Sequence, residues 1–479
     1  MTESWITPKQ WMDTADRLTA RYLSNDKGRV LCHGVFDLLH LGHIRHLQEA
    51  KKMGGDNAYL IVSVTADRHV NKGIGRPHFT AEQRAEALRS LACVDEVYIN
   101  DDVGAWDLIR KIKPAFYVKG VDYVGVRSEG LDKERAAIAE VGGTMKFTGT
   151  RKWSSSSLLN TERFSDEICA YLQREKAAGA LDKIREAFDR ADDKQILFVG
   201  EQITDVYRYV QGLGRASKEL MLATVETGQE TFDGGVLAAS LHGEWRNAHI
   251  LTGAWPITKT RYVDADFNKK LFDVYSDREI SLTADEREDF RNRLSDAISV
   301  SDVVILNDFG HGLMGEIERE AIQHAGFLAL NCQTNAGNYG FNLVTKYQKA
   351  QYVCIDDPEA RLAAGMQREP ISSVAFNLAQ LMSCRRFLIT HGRFGADWFH
   401  RQTEFKAGKA PALAQGGVDT MGAGDAVMAV TAPLIAAGLD MASAALVGNV
   451  VGAIKVSILG HRRHVGRQEI IQTVEALLA

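Results

Sequence analysis

The sequence has few cysteines and no long hydrophobic run. Its six cysteines are scattered among 479 residues, at positions 32, 93, 169, 332, 354 and 384, and no two of them form a CxxC pair. This spacing excludes a zinc ribbon and argues against a disulfide scaffold, so we expect a reducing environment. The most apolar stretch, residues 427–439, is about a dozen residues long and is too short to span a bilayer.

The sequence also lacks an excess of charge of one sign. Its 57 basic residues face 62 acidic ones, which gives a net charge of −5 and no reason to expect a nucleic-acid or membrane-surface partner. The first residues do not show the basic and then apolar pattern of a signal peptide. We therefore expect a cytoplasmic protein. Its composition, 45% hydrophobic and 25% charged, is that of a globular protein with two or three domains.

Strand and helix patterns alternate along the chain. Apolar runs predict strands at residues 30–32, 59–64, 94–99, 115–119 and 144–147, with helices at 43–52, 80–91 and 106–112 between them. This alternation is typical of a doubly wound parallel sheet. A second alternating run begins at residue 196. We predict an α/β domain over residues 1–165, a helical linker over 166–180 and a second α/β domain over 181–479.

A histidine pair follows the first predicted strand, in the sequence Gly34-Val-Phe36-Asp37-Leu-Leu-His40-Leu-Gly42-His43. Ligands of open α/β sheets bind at the carboxyl ends of strands, and a helix N-terminus attracts phosphate. Two imidazole donors at this place can stabilise the charge on a phosphorus under attack. The alternatives are polar side chains that only begin a helix, and a zinc site, for which no third ligand stands nearby.

This segment resembles the cytidylyltransferase-like nucleotidyltransferase superfamily over about residues 28–160. Further pieces follow in family order: Lys72 in a loop, Arg84 and Arg89, then Lys119 to Tyr123, which resembles KGxDY, and a serine run that resembles the STT segment. The resemblance implies catalytic roles for His40, His43 and Lys72. It also implies that the nucleotide is bound by Gly34, Phe36, Asp37, Gly42, Arg89, Lys119, Gly120, Asp122, Tyr123, Ser154, Ser155 and Ser156.

Some features of this first region stay open. The serine run is also compatible with a linker or a simple N-cap. Residues 149–153 depart from the family pattern, which leaves Arg151 and Lys152 unexplained. The HxGH motif also occurs in class I aminoacyl-tRNA synthetases, but the sequence has no KMSKS-like segment and no basic tRNA-binding extension.

A second motif, Asp419-Thr420-Met-Gly422-Ala423-Gly424-Asp425, precedes a helix predicted over residues 426–437. Glycines at a helix start let backbone N–H groups surround an anion. An aspartate there can accept the proton of a sugar hydroxyl that attacks a γ-phosphorus. The motif resembles that of the ribokinase-like (fructokinase-type) carbohydrate kinases, whose pattern residues 181–479 follow.

The second resemblance implies that Asp425 is the catalytic base of a sugar kinase. ATP and anion binding is implied for Asp356, Glu359, Thr390, Gly392, Gly395, Thr420, Gly422, Ala423, Gly424 and Asn449. Sugar binding is implied for Asp205, Gly234, Gly235 and Asp308. The sequence departs from the family at Glu201, at the residues after the glycine pair, and at Asn331-Cys332-Gln333. An alternative is therefore a non-catalytic dimerisation or regulatory domain.

Together the two parts resemble the bifunctional enzymes that make ADP-heptose, with the domain order reversed. The predicted fold is α/β: a Rossmann-like nucleotidyltransferase domain followed by a ribokinase-like domain with a small lid. The resemblance implies nucleotidyl transfer to a sugar or polyol phosphate and ATP-dependent sugar phosphorylation. ATP would serve the kinase and ATP or CTP the transferase, with Mg²⁺ held through phosphates and Glu359 rather than by a side-chain cluster. It further implies a homodimer. A third interpretation is a nucleotide-sensing regulator.

Overall fold

The structure is a computed structural model. It describes residues 28–70, 76–120, 123, 128–149, 164–213, 224–253, 257–267, 269–276, 279–335, 337–414 and 416–478. The chain divides into two compact units, Met1–Glu162 and Arg163–Ala479. Within the described residues, no helix combines the length and the apolar character that a membrane crossing requires.

The first unit is built on a parallel sheet with the strand order β3-β2-β1-β4-β5. The strands are β1 (Arg29–Gly34), β2 (Tyr59–Thr65), β3 (Glu96–Asn100), β4 (Phe116–Lys119) and β5 (Thr144–Phe147). The helices between them are α1 (Leu41–Met53), α2 (Ala81–Arg89), α3 (Trp106–Ile112) and α4 (Glu129–Glu140). The chain winds outward from β1 to β3 and then returns to β4 on the other side of β1. The topological switch point, where such sheets bind ligands, therefore lies beside β1.

Helix α4 is an element that the sequence analysis did not predict. It begins at the N-cap Ser128, whose side chain accepts a hydrogen bond from the backbone N–H of Leu131. Its buried side chains Leu131, Ala137 and Ile138 recur at helical spacing and pack against the sheet. The signal was present in the sequence as a serine cap followed by this apolar face.

The second unit contains a large sheet with the order β19-β18-β17-β15-β13-β12-β6-β9. Strands β9 to β17 of this order run parallel, and β18 and β19 are antiparallel additions. Its strands are β6 (Ile196–Gly200), β9 (Ala248–Leu251), β12 (Val303–Asp308), β13 (Leu328–Cys332), β15 (Tyr352–Asp356), β17 (Arg386–Thr390), β18 (Ala396–Arg401) and β19 (Phe405–Ala410). A short pair, β14 (Lys349–Ala350) and β16 (Ser383–Cys384), stands apart from it.

A smaller sheet has the order β11-β10-β7-β8, and we call it the lid after the small lid that the family resemblance implies. Its strands are β7 (Gln202–Gly212), β8 (Thr224–Gly235), β10 (Ile257–Asp264) and β11 (Lys269–Tyr275). Because β7 follows β6 after a single residue, the lid grows directly from the carboxyl edge of the large sheet.

Helices cover both faces of the large sheet. They are α5 (Asp166–Ala177), α6 (Ala180–Asp192), α7 (Val236–Ser240), α8 (Ala284–Ser299), α9 (Glu316–Ile322), α10 (Asp357–Ala364), α11 (Ile371–Leu381), α12 (Ala423–Ala436), α13 (Met441–Lys455) and α14 (Arg467–Leu478). Every residue of the inner strand β12 is buried, which accounts for its apolar run over residues 303–306, and the strand ends in the buried polar residues Asn307 and Asp308. Helix α5, in the stretch expected as a linker, belongs to the second unit and buries Tyr171 and Leu172. The α/β class predicted from the alternating pattern is confirmed in both units.

Candidate active sites

The histidine pair lies at the carboxyl end of β1, where the chain turns sharply into α1. Phe36 and Leu38 adopt positive φ angles of 51° and 60°, a conformation that non-glycine residues rarely take. This turn places His40 at the N-cap of α1 and His43 in its first turn. The two imidazole rings stack with their centroids 3.9 Å apart, and Phe36 packs edge-on against His43.

The N-cap hydrogen bond fixes the tautomer of His40. Its Nδ1 accepts a hydrogen bond from the backbone N–H of Gly42 at 3.0 Å, so Nδ1 carries no proton. Burial lowers the pKa of His40 below its ordinary value, which favours the neutral ring. The proton of the neutral ring therefore sits on Nε2, which has no hydrogen-bond partner among the described residues. His40 is a preset donor at a helix N-terminus.

Asp37, predicted to bind nucleotide, is occupied by protein contacts. It is buried, and its carboxylate forms an ion pair with Arg76 and accepts hydrogen bonds from the backbone N–H groups of His78 and Phe79. Burial opposes its ionisation, but these backbone donors and Arg76 outweigh burial and lower its pKa. Asp37 thus holds the segment that follows residues 71–75 beside the HxGH turn.

Lys119, at the carboxyl end of β4, is also paired within the protein. Its ammonium lies 3.0 Å from a carboxylate oxygen of Glu134, and both side chains are buried. It also lies 4.7 Å from the ring centre of Tyr123, which is 39% exposed. Glu134 comes from helix α4, which was not predicted, so this pair could not be expected from the sequence.

Of the other residues predicted for the transferase site, three glycines lie at or just after the ends of β1 and β4 or in the first turn of α1, and Arg89 lies elsewhere. Gly34 ends β1 beneath the Phe36 ring, Gly42 lies in the first turn of α1, and Gly120 directly follows β4. Arg89 is exposed in the last turn of α2, and no hydrogen bond or ion pair is described that joins it to the histidines. The predicted residues Lys72, Asp122, Ser154, Ser155 and Ser156, with Arg151 and Lys152, lie outside the described residues.

Sequence reasoning missed the role of Arg84 in this region. Its side chain is buried and donates to the carbonyl oxygens of Val35, Thr65 and Phe79, and it also pairs with Asp67. These carbonyls come from three segments at the carboxyl edge of the sheet. A single arginine therefore ties together the backbone around the HxGH turn. An arginine on the apolar face of a helix was the signal for it.

In the second unit, Asp425 lies in the first turn of α12, behind the N-cap Gly422. Gly422 has a φ of 66°, and a Cβ there would meet the His461 ring at 2.8 Å, so both conformation and space favour glycine. Asp425 accepts hydrogen bonds from the side-chain amides of Asn307, at 2.9 Å, and Asn331, at 3.4 Å. Burial raises its pKa, and the Asn307 donor works against that rise.

The carboxylates predicted at the phosphate end lie at the carboxyl end of β15. Asp356 and Glu359 form a capping box at the start of α10, and Glu359 also accepts from the backbone N–H of Thr334 at 2.8 Å. The pKa of Glu359 is raised to about 8, and burial is the largest cause. The negative charge of Asp356 and, more weakly, that of Asp425 add to this rise. Among the described residues, no cluster of three or more His, Cys, Asp or Glu side chains is arranged to bind a metal.

The predicted nucleotide loop follows β17. Thr390 ends that strand, and Gly392 and Gly395 have positive φ angles of 54° and 94°. A Cβ on Gly395 would lie 2.1 Å from the carbonyl oxygen of Ala410, which excludes any other residue there. Asn449 donates to the carbonyl oxygens of Ala410 and Pro411, both at 2.9 Å. Asn449 therefore positions the backbone beside this loop.

The predicted sugar contacts form two groups. Asp205 is buried in the lid, with Arg261 at 2.7 Å and His461 at 3.4 Å, and a Cβ on Gly234 would lie 2.4 Å from its carboxylate. Gly235 has a φ of 61° at the end of β8.

The second group of predicted sugar contacts is Asp308, the last residue of β12. Its carboxylate is in contact with the side chains of Tyr347, Lys346 and Asn342.

The structure brings further residues to the kinase site that the sequence did not single out. Asn307 and Asn331 contact Asp425, and Asn331 had been noted only as a departure from the family. Glu201, another departure, is fully buried and accepts from the backbone N–H groups of Phe309 and His311, both at 3.0 Å. Burial raises its pKa to about 7, with Asp308 adding to the rise.

Comparison with known families divides the chain in the same way. Residues 31–161 match the cytidylyltransferase-like family, and residues 319–464 match the pfkB family of carbohydrate kinases. Both resemblances seen in the sequence are thereby confirmed. Each match covers less than half of the chain.

Curated relatives match the N-terminal part. The bifunctional protein HldE of Campylobacter fetus subsp. fetus is 42% identical over 108 residues, which are 22% of this chain and 23% of that protein. HldE of Koribacter versatilis is 41% identical over 108 residues, 22% of each chain. The chain thus spans under a quarter of the length of these two relatives.

Solved structures resemble the chain over more than half of its length. A ribokinase of Arabidopsis thaliana, solved with ribose and ATP, is 16% identical with a TM-score of 0.43, covering 60% of this chain and 98% of that one. Phosphofructokinase-2 from Escherichia coli, in complex with potassium, is 12% identical with a TM-score of 0.46, covering 59% and 99%.

Proposed function

Since the chain joins a cytidylyltransferase-like domain to a pfkB-type carbohydrate kinase domain, we propose that it is a bifunctional enzyme of nucleotide-sugar synthesis. The first domain transfers AMP or CMP from a nucleoside triphosphate to a sugar or polyol phosphate of the heptose-phosphate kind. The second phosphorylates a sugar with ATP. The HldE relatives are bifunctional by name, which supports a pairing of two activities in one chain.

One observation carries the transferase half of this proposal: His40 stacks on His43 at a helix N-terminus, with its N–H fixed on Nε2. A phosphate placed there meets the imidazole donor and the positive end of the helix dipole. A phosphate oxygen of the acceptor attacks the α-phosphorus, a new P–O bond forms, and pyrophosphate leaves. Because these donors are already oriented, they stabilise the negative charge that develops in the transition state without having to move. Such stabilisation is usually the largest contribution to the acceleration of the reaction.

The kinase half rests on Asp425. Its carboxylate accepts the proton of an acceptor hydroxyl as that oxygen attacks the γ-phosphorus, and ADP leaves. The N–H groups at the start of α12 face the transferred phosphate. The raised pKa of Asp425 suits a base that must take up a proton. An unbroken motif with an oriented base favours activity over a purely structural domain.

The kinase site fits a divalent cation held through nucleotide phosphates. Glu359 and Asp356 offer the oxygen ligands that Mg²⁺ prefers, and their mutual repulsion would be relieved by a cation. We propose Glu359 as the protein contact. Bound Mg²⁺ would neutralise phosphate charge.

We also propose the finer points that the family resemblance implies: a cytoplasmic location, a homodimer, and the site residues named in the sequence. The residues outside the described part, Lys72 above all, belong to this proposal. The outer lid strand β11 supports the dimer, because it exposes Leu271, Phe272 and Val274. Exposed apolar edge strands commonly pair with another chain.

Two single substitutions in the full chain test this function. His43→Ala should abolish pyrophosphate release and spare ADP formation, whereas Asp425→Asn should do the opposite, so each variant controls for the other. The substrates are ATP, CTP, GTP and UTP against a panel of sugars and sugar phosphates. Loss of both activities through either change, in a folded protein, would contradict two independent sites. Pyrophosphate release without sugar-dependent ADP from any acceptor would favour the non-catalytic kinase-like domain.

A further inference from the structure

Two side-chain amides flank Asp425 from neighbouring strands. Asn307 near the end of β12 and Asn331 near the end of β13 are direct partners in the parallel register of the two strands. Both donate to the same oxygen of Asp425, at 2.9 and 3.4 Å. They therefore form a matched pair beside the proposed base, at the carboxyl edge of the large sheet.

The orientation of both amides follows from the chemistry of the carboxylate. An ionised carboxylate only accepts hydrogen bonds, so each amide must turn its NH₂ group toward Asp425 and its carbonyl oxygen away. Both carbonyl oxygens, Asn307 Oδ1 and Asn331 Oδ1, are buried and have no hydrogen-bond partner within the described part of the chain. Asn307 is only 1% exposed. Buried polar atoms without a partner are rare in folded proteins and point to a role.

The predicted sugar contacts near this place are already engaged. The carboxylate of Asp308 is occupied by Tyr347, Lys346 and Asn342, and that of Asp205 by Arg261 and His461. The two amide oxygens, by contrast, have no hydrogen-bond partner among the described residues.

We propose, on the premise that the kinase activity exists, that Asn307 and Asn331 recognise the acceptor next to its reacting carbon. The hydroxyl that attacks the γ-phosphorus gives its proton to Asp425, and the bond from that phosphorus to ADP breaks. A second hydroxyl, on the adjacent carbon, donates to the amide oxygens. The substrate class is a sugar or polyol with hydroxyls on neighbouring carbons.

The same amides position the base. The hydrogen bond from Asn307 opposes the rise in the pKa of Asp425 that burial causes. Removal of this donor should therefore shift the acid limb of the kinase pH–rate profile to higher pH. A residue that only supported the fold would leave this limb in place.

The test uses the full chain with ATP and three probes: D-ribose, D-fructose 6-phosphate and sedoheptulose 7-phosphate. The fastest probe is then compared with its analogue that lacks the hydroxyl next to the phosphorylated carbon. Asn307→Ala and Asn331→Ala should each raise the acceptor KM about tenfold, the worth of one hydrogen bond, and leave the KM for ATP unchanged. The deoxy analogue should suffer the same loss with the wild type but little further loss with either variant.

Two further variants keep the result interpretable. Asn331→Asp keeps the shape and an acceptor oxygen but loses the donor and adds a negative charge beside Asp425, so it should shift the acid limb of the pH profile to higher pH with a smaller effect on the acceptor KM. Asn247→Ala is the control. Asn247 lies just before β9, at the opposite edge of the sheet, and its amide donates to the carbonyl oxygen of Asp192. This variant should change neither the pH profile nor the acceptor KM.

Three outcomes would overturn the proposal. Equal rises in the KM of acceptor and ATP, or an unchanged acceptor KM in an active enzyme, would refute the amide role alone. A change confined to the Mg²⁺ activation constant would assign the amides to the metal. A wild-type chain that phosphorylates none of the probes would overturn the kinase function, and the amide role with it.

Discussion

Lys270, on the outer lid strand β11, donates to a carboxylate oxygen of Asp419 at 2.8 Å and so joins the lid to the loop that precedes α12. Asp419 also accepts from the Tyr207 hydroxyl and from the backbone N–H groups of Gly460 and Met421. Burial opposes its ionisation, but Lys270 and these donors outweigh burial and lower its pKa to about 2. Burial lowers the pKa of Lys270 as well, and its hydrogen bond to Asp419 and the charge of that carboxylate oppose this fall. The first aspartate of the kinase motif is therefore a link between lid and loop.

This link predicts a stability loss at low pH. Asp419→Ala should destabilise the second unit by about 3 kcal/mol, because it leaves Lys270 and two backbone donors without their partner. A carboxyl with a depressed pKa contributes stability that is complete above its unfolded value near 3.8 and is lost as the pH falls toward 2. The difference in Tm between wild type and Asp419→Ala should thus shrink below pH 4. A difference that stayed constant from pH 7 to pH 3 would contradict this role.

Arg84 should be essential for the first unit but not for the second. Arg84→Leu keeps most of the apolar packing but leaves three carbonyl groups, one buried and two partly buried, without their donor, so we expect a loss of about 3 kcal/mol. Pyrophosphate release should be lost on mild heating while sugar-dependent ADP formation persists. The matched control is Arg110→Leu, whose side chain is on the surface and should leave the Tm unchanged. Equal thermal loss of both activities would refute the assignment.

Variants of the buried ion pair of Lys119 and Glu134 can distinguish a structural role of Lys119 from a role in nucleotide binding. Lys119→Met should destabilise the first unit by about 3 kcal/mol, because it strands a buried carboxylate. Lys119→Met combined with Glu134→Leu should recover most of this stability, since a buried ion pair is often replaceable by apolar groups. If Lys119 binds nucleotide, the stable double variant still releases little pyrophosphate. Full activity in the double variant would assign Lys119 a purely structural role.

The neutral state of His40 predicts an unusual pH profile for nucleotidyl transfer. Burial penalises the charged ring and lowers its pKa, so activity should not decline near pH 6.5 as it would with an ordinary histidine. Protonation of Nδ1 at lower pH would break the bond from Gly42. His40→Asn retains an N-cap acceptor but lacks the Nε2 donor, and it should keep the Tm while kcat falls about 10²–10³-fold. A measured kcat within tenfold of wild type would contradict the donor role.

Mg²⁺ activation of the kinase should strengthen as the pH rises through about 8. Burial and Asp356 raise the pKa of Glu359 to about 8, so below that pH the carboxyl holds a proton that a cation must displace. Asp356→Asn retains an N-cap residue and removes the neighbouring charge, which should flatten this pH dependence. The Mg²⁺ activation constant of ADP formation, measured from pH 6.5 to 9 at constant ionic strength, provides the check. The same slope in wild type and Asp356→Asn would exclude Glu359 as the metal contact.

The two folds and the two reacting motifs could be predicted from the amino-acid sequence alone. Parallel strands that are buried on both faces have apolar runs in their sequence, as β12 has at its start. A glycine or a capping side chain after such a run predicts the start of a helix. HxGH and DTMGAGD are local in sequence, so their chemistry was readable without a structure. Both family resemblances were confirmed on this basis.

Which polar side chains are already paired within the protein became clear from the packing of distant segments. Asp37, Lys119 and Asp308 read as ligand contacts, yet each is paired with a residue at least 15 positions away that packing brings to it. Asn307 was given no role from the sequence and Asn331 was noted only as a departure from the family pattern, yet the register of β12 with β13 places both on Asp425. Local patterns fix secondary structure because it depends on near neighbours, whereas the pairing of buried polar groups depends on which strands meet.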